Sequence, residues 1–348
     1  MTQKIVINGK FLSQSTTGVQ RCARELVAQL DSLLEPGSVR LACPKGCDAS
    51  KLGLANIEVV EVGTHKGIYW EQIELPQYVS QQEAELFSPC NAAPLAHPGI
   101  VCVHDATFRA MPEIFSKGFI VWYRVLMRRY VKGAQAIVTV SDFSRSEITR
   151  FYPGMKGKIT VIPNAWQHIE RVQPDEGIFD SHPELKAEDG YYFAMSSLAL
   201  NKNLKWIVET ALLNPNAVIA IAGGLNTRVF GEHGIPEAPN VVYLGYVSDG
   251  QAKALMQGCK GFLYPTFYEG FGIPPMEAMA CGAPAAVSDT EVMHEVYGAS
   301  VHYVDPHVPC EDLAALFASE VAPAADVLAK YSWRASAEKL AELLRGLG

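Results

Sequence analysis

No apolar run in this chain approaches the roughly 20 residues needed to cross a bilayer; the uncharged stretch at 217–222 stops far short. The apolar segment after Lys4 is too short for a signal-peptide core and reads as a first β-strand, so a cytoplasmic, unexported chain is expected. Basic charge is in deficit: 29 Lys and Arg stand against 37 Asp and Glu, a net charge of −8. Binding nucleic acid by counterion displacement needs a basic surface, so no nucleic-acid partner is expected. Paired cysteines are missing too. The eight lie scattered at 22, 43, 47, 90, 102, 259, 281 and 310, with Cys43 and Cys47 too far apart for a CxxC pair, which suits reduced, packed thiols. There is no Asp-x-Asp triplet and no His/Cys/carboxylate cluster at metal spacing, so no metal and no resident cofactor are expected. Gly-x-Gly occurs in Gly270-Phe271-Gly272 and in the closing Gly346-Leu347-Gly348, each without a third glycine, and no Gly-Lys-Ser/Thr loop is present, so dinucleotide and P-loop readings fail.

What is present is apolar surface in quantity. A hydrophobic fraction of 49% with 14 Phe, 14 Tyr and 5 Trp excludes a largely disordered chain, and 348 residues suit two domains of ordinary size. Short β-branched runs recur at 4–8, 39–43, 57–62, 86–88, 100–104, 136–141 and 158–163, with helical patterns between them. A second series follows at 191–196, 218–222, 241–246, 261–265, 283–288 and 301–304. Runs that are apolar throughout belong to parallel strands buried on both faces. The polar stretch 168–190, with Pro174 and Pro183, reads as the connection. The expectation is an α/β chain of two doubly wound domains, 1–167 and 191–330, joined by that linker and closed by 331–348, a helix packing back toward the first domain. Ligands of such sheets bind at the carboxyl ends of the strands.

The most specific segment runs from Tyr264 to Gly282 and contains Tyr268-Glu269-Gly270-Phe271-Gly272-Ile273-Pro274-Pro275-Met276-Glu277. It reads as a strand end, a glycine loop and a helix N-terminus, with prolines in the helix's first turn. Glycines let a backbone approach a ligand, and a helix N-terminus favours an anion such as phosphate. Glu269 and Glu277 could each accept two hydrogen bonds from adjacent hydroxyls, as sugar and ribose recognition requires. The alternative is that Glu277 complements the helix dipole and Glu269 caps a turn.

The Glu269-x7-Glu277 pair in this setting resembles the signature of retaining GT-B glycosyltransferases of family 4, the glycosyl transferases group 1. The likeness covers nearly the whole chain: Thr17-Gly18-Val19-Gln20, Val103-His104-Asp105, Val140-Ser141-Asp142, Val161-Ile162-Pro163-Asn164-Ala165, Lys202-Asn203-Leu204, Gly245-Tyr246-Val247 and Tyr331-Ser332-Trp333 follow in order. It implies two Rossmann-like domains facing across a cleft, with an acceptor-binding first domain and a nucleotide-sugar-binding second. It further implies that Glu277 holds the donor ribose, while Glu269 and the backbone of Gly270, Phe271, Gly272 and Ile273 hold sugar and phosphates. Lys202 would neutralise the diphosphate as it departs, a fixed cation stabilising that state more than the ground state. The alternative for Lys202 is an ordinary surface lysine. The chain departs from the common pattern where Ala165 replaces Gly, where Met195-Ser196-Ser197 stands for Gly-Arg, and where Asn201 stands for Arg. Ser197 is then the candidate phosphate contact at a position usually cationic.

In the first half, Gly18 begins an amphipathic run and would let a diphosphate or acceptor approach a second helix N-terminus, or it simply starts that helix. His104 ends an apolar strand where the resemblance places a histidine against the donor sugar; a buried histidine satisfied by a carbonyl is the alternative. Residues 117–132 carry Lys117, Arg124, Arg128, Arg129 and Lys132 with no acid, and an apolar stripe of Phe119, Tyr123, Leu126, Met127 and Tyr130. Such a helix suits an anionic surface on the inner face of the cytoplasmic membrane or a lipid-diphosphate acceptor, and it equally suits burial in its own domain. The function implied is metal-independent, retaining hexosyl or deoxyhexosyl transfer to a glycan or lipid-linked glycan in bacterial polysaccharide or lipopolysaccharide biosynthesis. GDP-mannose or dTDP-rhamnose are the favoured donors and UDP-sugars stay open. Alternatives are a sugar-nucleotide-binding protein without transfer activity and a GT-B UDP-sugar epimerase.

Overall fold

The computed structural model describes residues 4–186, 190–195, 199–224 and 237–346. The chain forms two compact units, one running to Asn164 and taken up again from Ser332, the other spanning Ala165–Tyr331. Among the described residues thirteen strands fall where the apolar and β-branched runs lie. In the first unit they are β1 Ile5–Asn8, β2 Val39–Cys43, β3 Glu58–Glu61, β4 Glu85–Ser88, β5 Ile100–Cys102, β6 Ala136–Thr139 and β7 Ile159–Val161. All pair in parallel in the order β3-β2-β1-β4-β5-β6-β7.

The second unit holds β8 Tyr191–Met195, β9 Val218–Ala222, β10 Val241–Gly245, β11 Gly261–Tyr264, β12 Ala285–Ser288 and β13 His302–Val304. These also pair in parallel, in the order β10-β9-β8-β11-β12-β13. Each order reverses direction once, between β1 and β4 and between β8 and β11, and such a reversal opens a crevice at the carboxyl ends of the two central strands. Central strands such as β1, β6, β11 and β12 are buried at every residue, which is why their sequences are apolar without alternation.

Five helices matter below: α1 Gly18–Leu30, α2 Lys117–Gly133, α3 Leu204–Leu213, α4 Ile273–Ala280 and α5 Trp333–Gly346. Helix α5 packs against α1 in the first unit. Its Trp333 is buried, Ser336 Oγ donates to Pro163 O at 2.7 Å, and Arg334 Nη1 donates to Ser32 Oγ at 2.7 Å. Helix α2 inserts Leu126, Met127 and Tyr130 into a core cluster with Val101 and Ile137, and Phe119 and Tyr123 pack against it. The aromatic stripe of this helix therefore faces its own domain, one of the two settings that its sequence suits equally.

The stretch read as a linker, 168–190, falls within the second unit instead. His168 and Ile169 are buried in a 3-10 turn, Gln167–Arg171, and Lys253 Nζ donates to the carbonyls of Ile169 and Val172 at 2.9 and 2.8 Å. Asp175 N–H reaches Gly250 O at 2.9 Å. The stretch is polar because it crosses the surface, yet its backbone is tied to the second unit.

Candidate active site

Lys202, Glu269 and Glu277 all belong to the second unit, near the β8/β11 reversal. After β8 the chain makes a 3-10 turn, Leu200–Lys202, and Asn203 takes a left-handed conformation with φ of 54° before α3 begins. Asparagine tolerates that region better than most residues. The Asn203 side-chain amide donates to Pro265 O at 2.9 Å and to Pro306 O at 2.7 Å, pinning the turn to the end of β11. Phe267 N–H donates to Asn201 O at 2.8 Å, and Asn201 Nδ2 donates to Tyr268 O at 3.3 Å. Asn201 thus stitches two loops where the resemblance led one to look for a phosphate cation. Ser197 lies outside the described residues.

This stitching brings Lys202 Nζ to 2.7 Å from Glu269 Oε1 and to 3.2 Å from the Tyr264 hydroxyl, with the ammonium 5.3 Å from the Tyr264 ring centre. Burial pushes the Tyr264 phenol well above its usual range, and the charges of Glu269 and Glu277 push it the same way. It stays a neutral hydroxyl. The lysine side chain keeps 26% of its surface exposed, so the ammonium is held and still reachable.

Gly272 has a φ of +84°, and a Cβ there would lie 2.9 Å from Met293 Cε and 3.3 Å from Tyr264 Cε1. Tyr297 donates its hydroxyl to Gly272 O and fixes the loop from below. Phe271 and Ile273 bury their side chains, Phe271 meeting the Tyr331 ring edge-on at 5.2 Å. What this loop can offer a ligand is therefore backbone. Pro274 and Pro275 have no N–H, which leaves Gly272 and Ile273 as the donors at the start of α4.

Glu277 lies on α4, its side chain 13% exposed, and its Oε1 stands 2.5 Å from Nε2 of the fully buried His168. No motif marks His168, and reading its segment as a linker hid it. The partners are 109 residues apart, and the one signal available was that His168 closely follows Asn164-Ala165, a segment already singled out.

In the first unit Gly18 is the exposed first residue of α1, preceded by Thr17, whose N–H donates to Gln20 Oε1 at 3.2 Å. His104 follows β5 and is buried, with Nε2 at 2.9 Å from Pro89 O. Burial lowers its pKa, so the ring is neutral and its Nε2–H is bonded to that carbonyl, the arrangement of the packing alternative. Arg129 donates to Leu95 O at 2.5 Å and Ala96 O at 3.4 Å. Arg124, Arg128 and Arg129 are all exposed. A cluster absent from the sequence reading sits at the β1/β4 reversal. There the buried Glu71 accepts from Lys10 Nζ at 2.8 Å and from Asn8 Nδ2 at 3.3 Å, and Asn8 also reaches Ser88 Oγ at 3.3 Å. Among the described residues no three His, Cys, Asp or Glu side chains gather closely enough to hold a metal.

Residues 178–319 match the model of the family described as Glycosyl transferases group 1. It is 30% identical over 220 residues to the O-antigen chain mannosyltransferase B of Escherichia coli, a match covering 60% of this chain and 57% of that protein. It is 28% identical over 218 residues to the O-antigen chain mannosyltransferase RfbU of Salmonella typhimurium, covering 61% and 58%. The chain thus spans less than two thirds of these relatives' length. Among solved structures, Anabaena Alr3699/HepE in complex with UDP and glucose superposes with a TM-score of 0.70 at 17% identity, over 99% of each chain. WaaG, a glycosyltransferase involved in lipopolysaccharide biosynthesis, does so at 0.63 and 13%, over 99% of this chain and 97% of its own. The fold is GT-B, two parallel-sheet α/β domains.

Proposed function

We propose that this protein is a retaining glycosyltransferase that moves a hexose or deoxyhexose from a nucleotide-sugar to a glycan or lipid-linked glycan of a bacterial surface polysaccharide. The observation that carries the reading is the Lys202–Glu269 pair at the β8/β11 reversal, beside a glycine loop that leads into a helix start. In this reading Glu277 accepts the donor ribose hydroxyls, and the backbone of Gly270–Ile273 takes sugar and phosphate. Glu269 holds the sugar, and the Lys202 ammonium stabilises the departing nucleoside diphosphate without a metal. The departing phosphate oxygen takes the acceptor hydroxyl's proton as the new bond forms on the same face. Because its relatives are named mannosyltransferases, GDP-mannose is the first donor to test, ahead of dTDP-rhamnose and UDP-sugars. The exposed cations of α2 suit attachment to an anionic membrane surface, where a lipid-linked acceptor resides.

The test is thermal-shift titration of the purified protein with GDP-mannose, dTDP-rhamnose and UDP-glucose in EDTA, followed by chromatography of donor consumed with and without lipid-linked acceptor. Stabilisation by one donor and acceptor-dependent release of its nucleoside diphosphate support the reading. Binding without turnover points to a sugar-nucleotide-binding protein, and acceptor-independent conversion of a UDP-sugar to an epimerase.

A further inference from the structure

The 3-10 turn Gln167–Arg171 is anchored along its length although its sequence is polar. Trp166 Nε1 donates to Leu328 O at 2.9 Å and Gln167 Nε2 to Tyr331 O at 2.8 Å. Beyond His168, Lys253 clasps the carbonyls of Ile169, Glu170 and Val172 at 2.9, 3.3 and 2.8 Å. This anchoring serves one side chain in particular. The His168 imidazole is 2% exposed and lies with Nε2 2.5 Å from Glu277 Oε1.

An ionised carboxylate only accepts, so at this distance Nε2 carries the hydrogen and donates it. Glu277 has three side-chain torsions and would otherwise sample several rotamers at the lip of the crevice. With Oε1 held from beneath by His168, the other carboxylate oxygen has a fixed position for incoming hydroxyls. We propose that His168 is a positioning residue: it locks Glu277 in the rotamer that receives the donor's ribose, so that the nucleotide meets a preorganised acceptor. This rests on the donor-site reading above and adds to it a residue from outside the glycine-loop segment. Preorganisation of this kind raises affinity by removing the ordering cost from the binding step.

The experiment is isothermal titration of the full chain with GDP, UDP and dTDP, run on wild type and on H168L, H168Q, E277A and H168L/E277A. The best-bound nucleotide's sugar is then used to measure donor KM and kcat. Near-UV circular dichroism confirms folding, and H168N, too short to reach Glu277 as Nε2 does, replaces H168L if that variant does not fold. H168L is expected to weaken nucleotide binding about tenfold or more and to raise donor KM with kcat little changed. H168Q, whose amide can donate from the same reach, recovers most of the affinity. In the E277A background, H168L costs nothing further, because His168 acts only through Glu277. Equal affinity of wild type and H168L, or additive losses in the double variant, would overturn the positioning role while leaving the donor site standing. Absence of binding by the wild-type chain to all three nucleotides would overturn the donor-site reading and this inference with it.

Discussion

Lys202 and Glu269 form a 2.7 Å ion pair although they belong to different loops, one after β8 and one after β11. They meet because those strands are neighbours at the one place where the second sheet's order reverses. In the proposed reaction the ammonium gains its largest interaction as the diphosphate departs. Lys202→Ala is then expected to lower kcat by about a hundredfold or more, with donor KM changing less. Steady-state kinetics with the preferred donor checks this; a raised KM at unchanged kcat would make Lys202 a ground-state binding group only.

The left-handed Gly272 supports a prediction that couples stability to binding. An alanine there must hold a φ near +84° and push its Cβ against Met293 and Tyr264. G272A is expected to lose about 1–3 kcal/mol of stability and to bind the donor nucleotide weakly, since the backbone N–H groups at the start of α4 would be re-aimed. Denaturant unfolding and nucleotide titration read the two effects separately. A variant as stable as wild type would show that the loop has room to relax.

The first unit carries a pH-dependent brace. Asp31, itself buried, accepts from the N–H groups of Ala55, Asn56 and Ile57 at 2.9, 2.9 and 2.7 Å. Burial alone would raise its pKa, and the three backbone donors outweigh it and hold the carboxyl below its usual 3.8. The folded value lies below the unfolded one, so the stabilisation is present above about pH 4 and disappears as pH falls through the lowered folded value. D31A is expected to cost about 1–3 kcal/mol at neutral pH and progressively less in acid. Unfolding curves of wild type and D31A between neutral pH and pH 3 test this; a constant gap between them would remove the charge from the account.

The thirteen strands among the described residues were legible, most of them because a parallel strand buried on both faces cannot alternate and so leaves a continuous apolar run, whereas the exposed β3, Glu58–Glu61, shows only a short β-branched core. Their ends were less so: the runs at 136–141 and 283–288 shrink to Ala136–Thr139 and Ala285–Ser288 once hydrogen bonding sets the limit. Glu269 and Glu277 stood out because a strand end, a glycine loop and a helix turn bring them to one end of the sheet over a short span. His168 and the Asn8–Glu71–Lys10 cluster did not, since their partners lie 109, 63 and 61 residues away and no local pattern encodes such pairings. Arg129 shows the converse limit. Helical periodicity puts it among exposed cations, where the structure also has it, but no local pattern encodes its bonds to the carbonyls of Leu95 and Ala96.

The surface of α2 left after its aromatic stripe is buried supports the remaining prediction. Lys117, Val121, Arg124, Val125, Arg128 and Lys132 are all exposed and recur at helical spacing, with Val121 at 60% and Val125 at 41%. Four cations around two solvent-facing valines, on a chain of net charge −8, are the arrangement that an anionic headgroup layer attracts against the overall field. Each Lys or Arg near such a surface contributes about 1 kcal/mol, so R124A/R128A is expected to weaken binding to phosphatidylglycerol vesicles by about 2 kcal/mol, roughly thirtyfold. Binding should also fall with added salt, as exposed charges are screened within about 10 Å at 0.1 M. Vesicle co-sedimentation measures both, with phosphatidylcholine vesicles as the uncharged control. Partitioning that is indifferent to the two arginines and to salt would show that α2 serves only the core of its own domain.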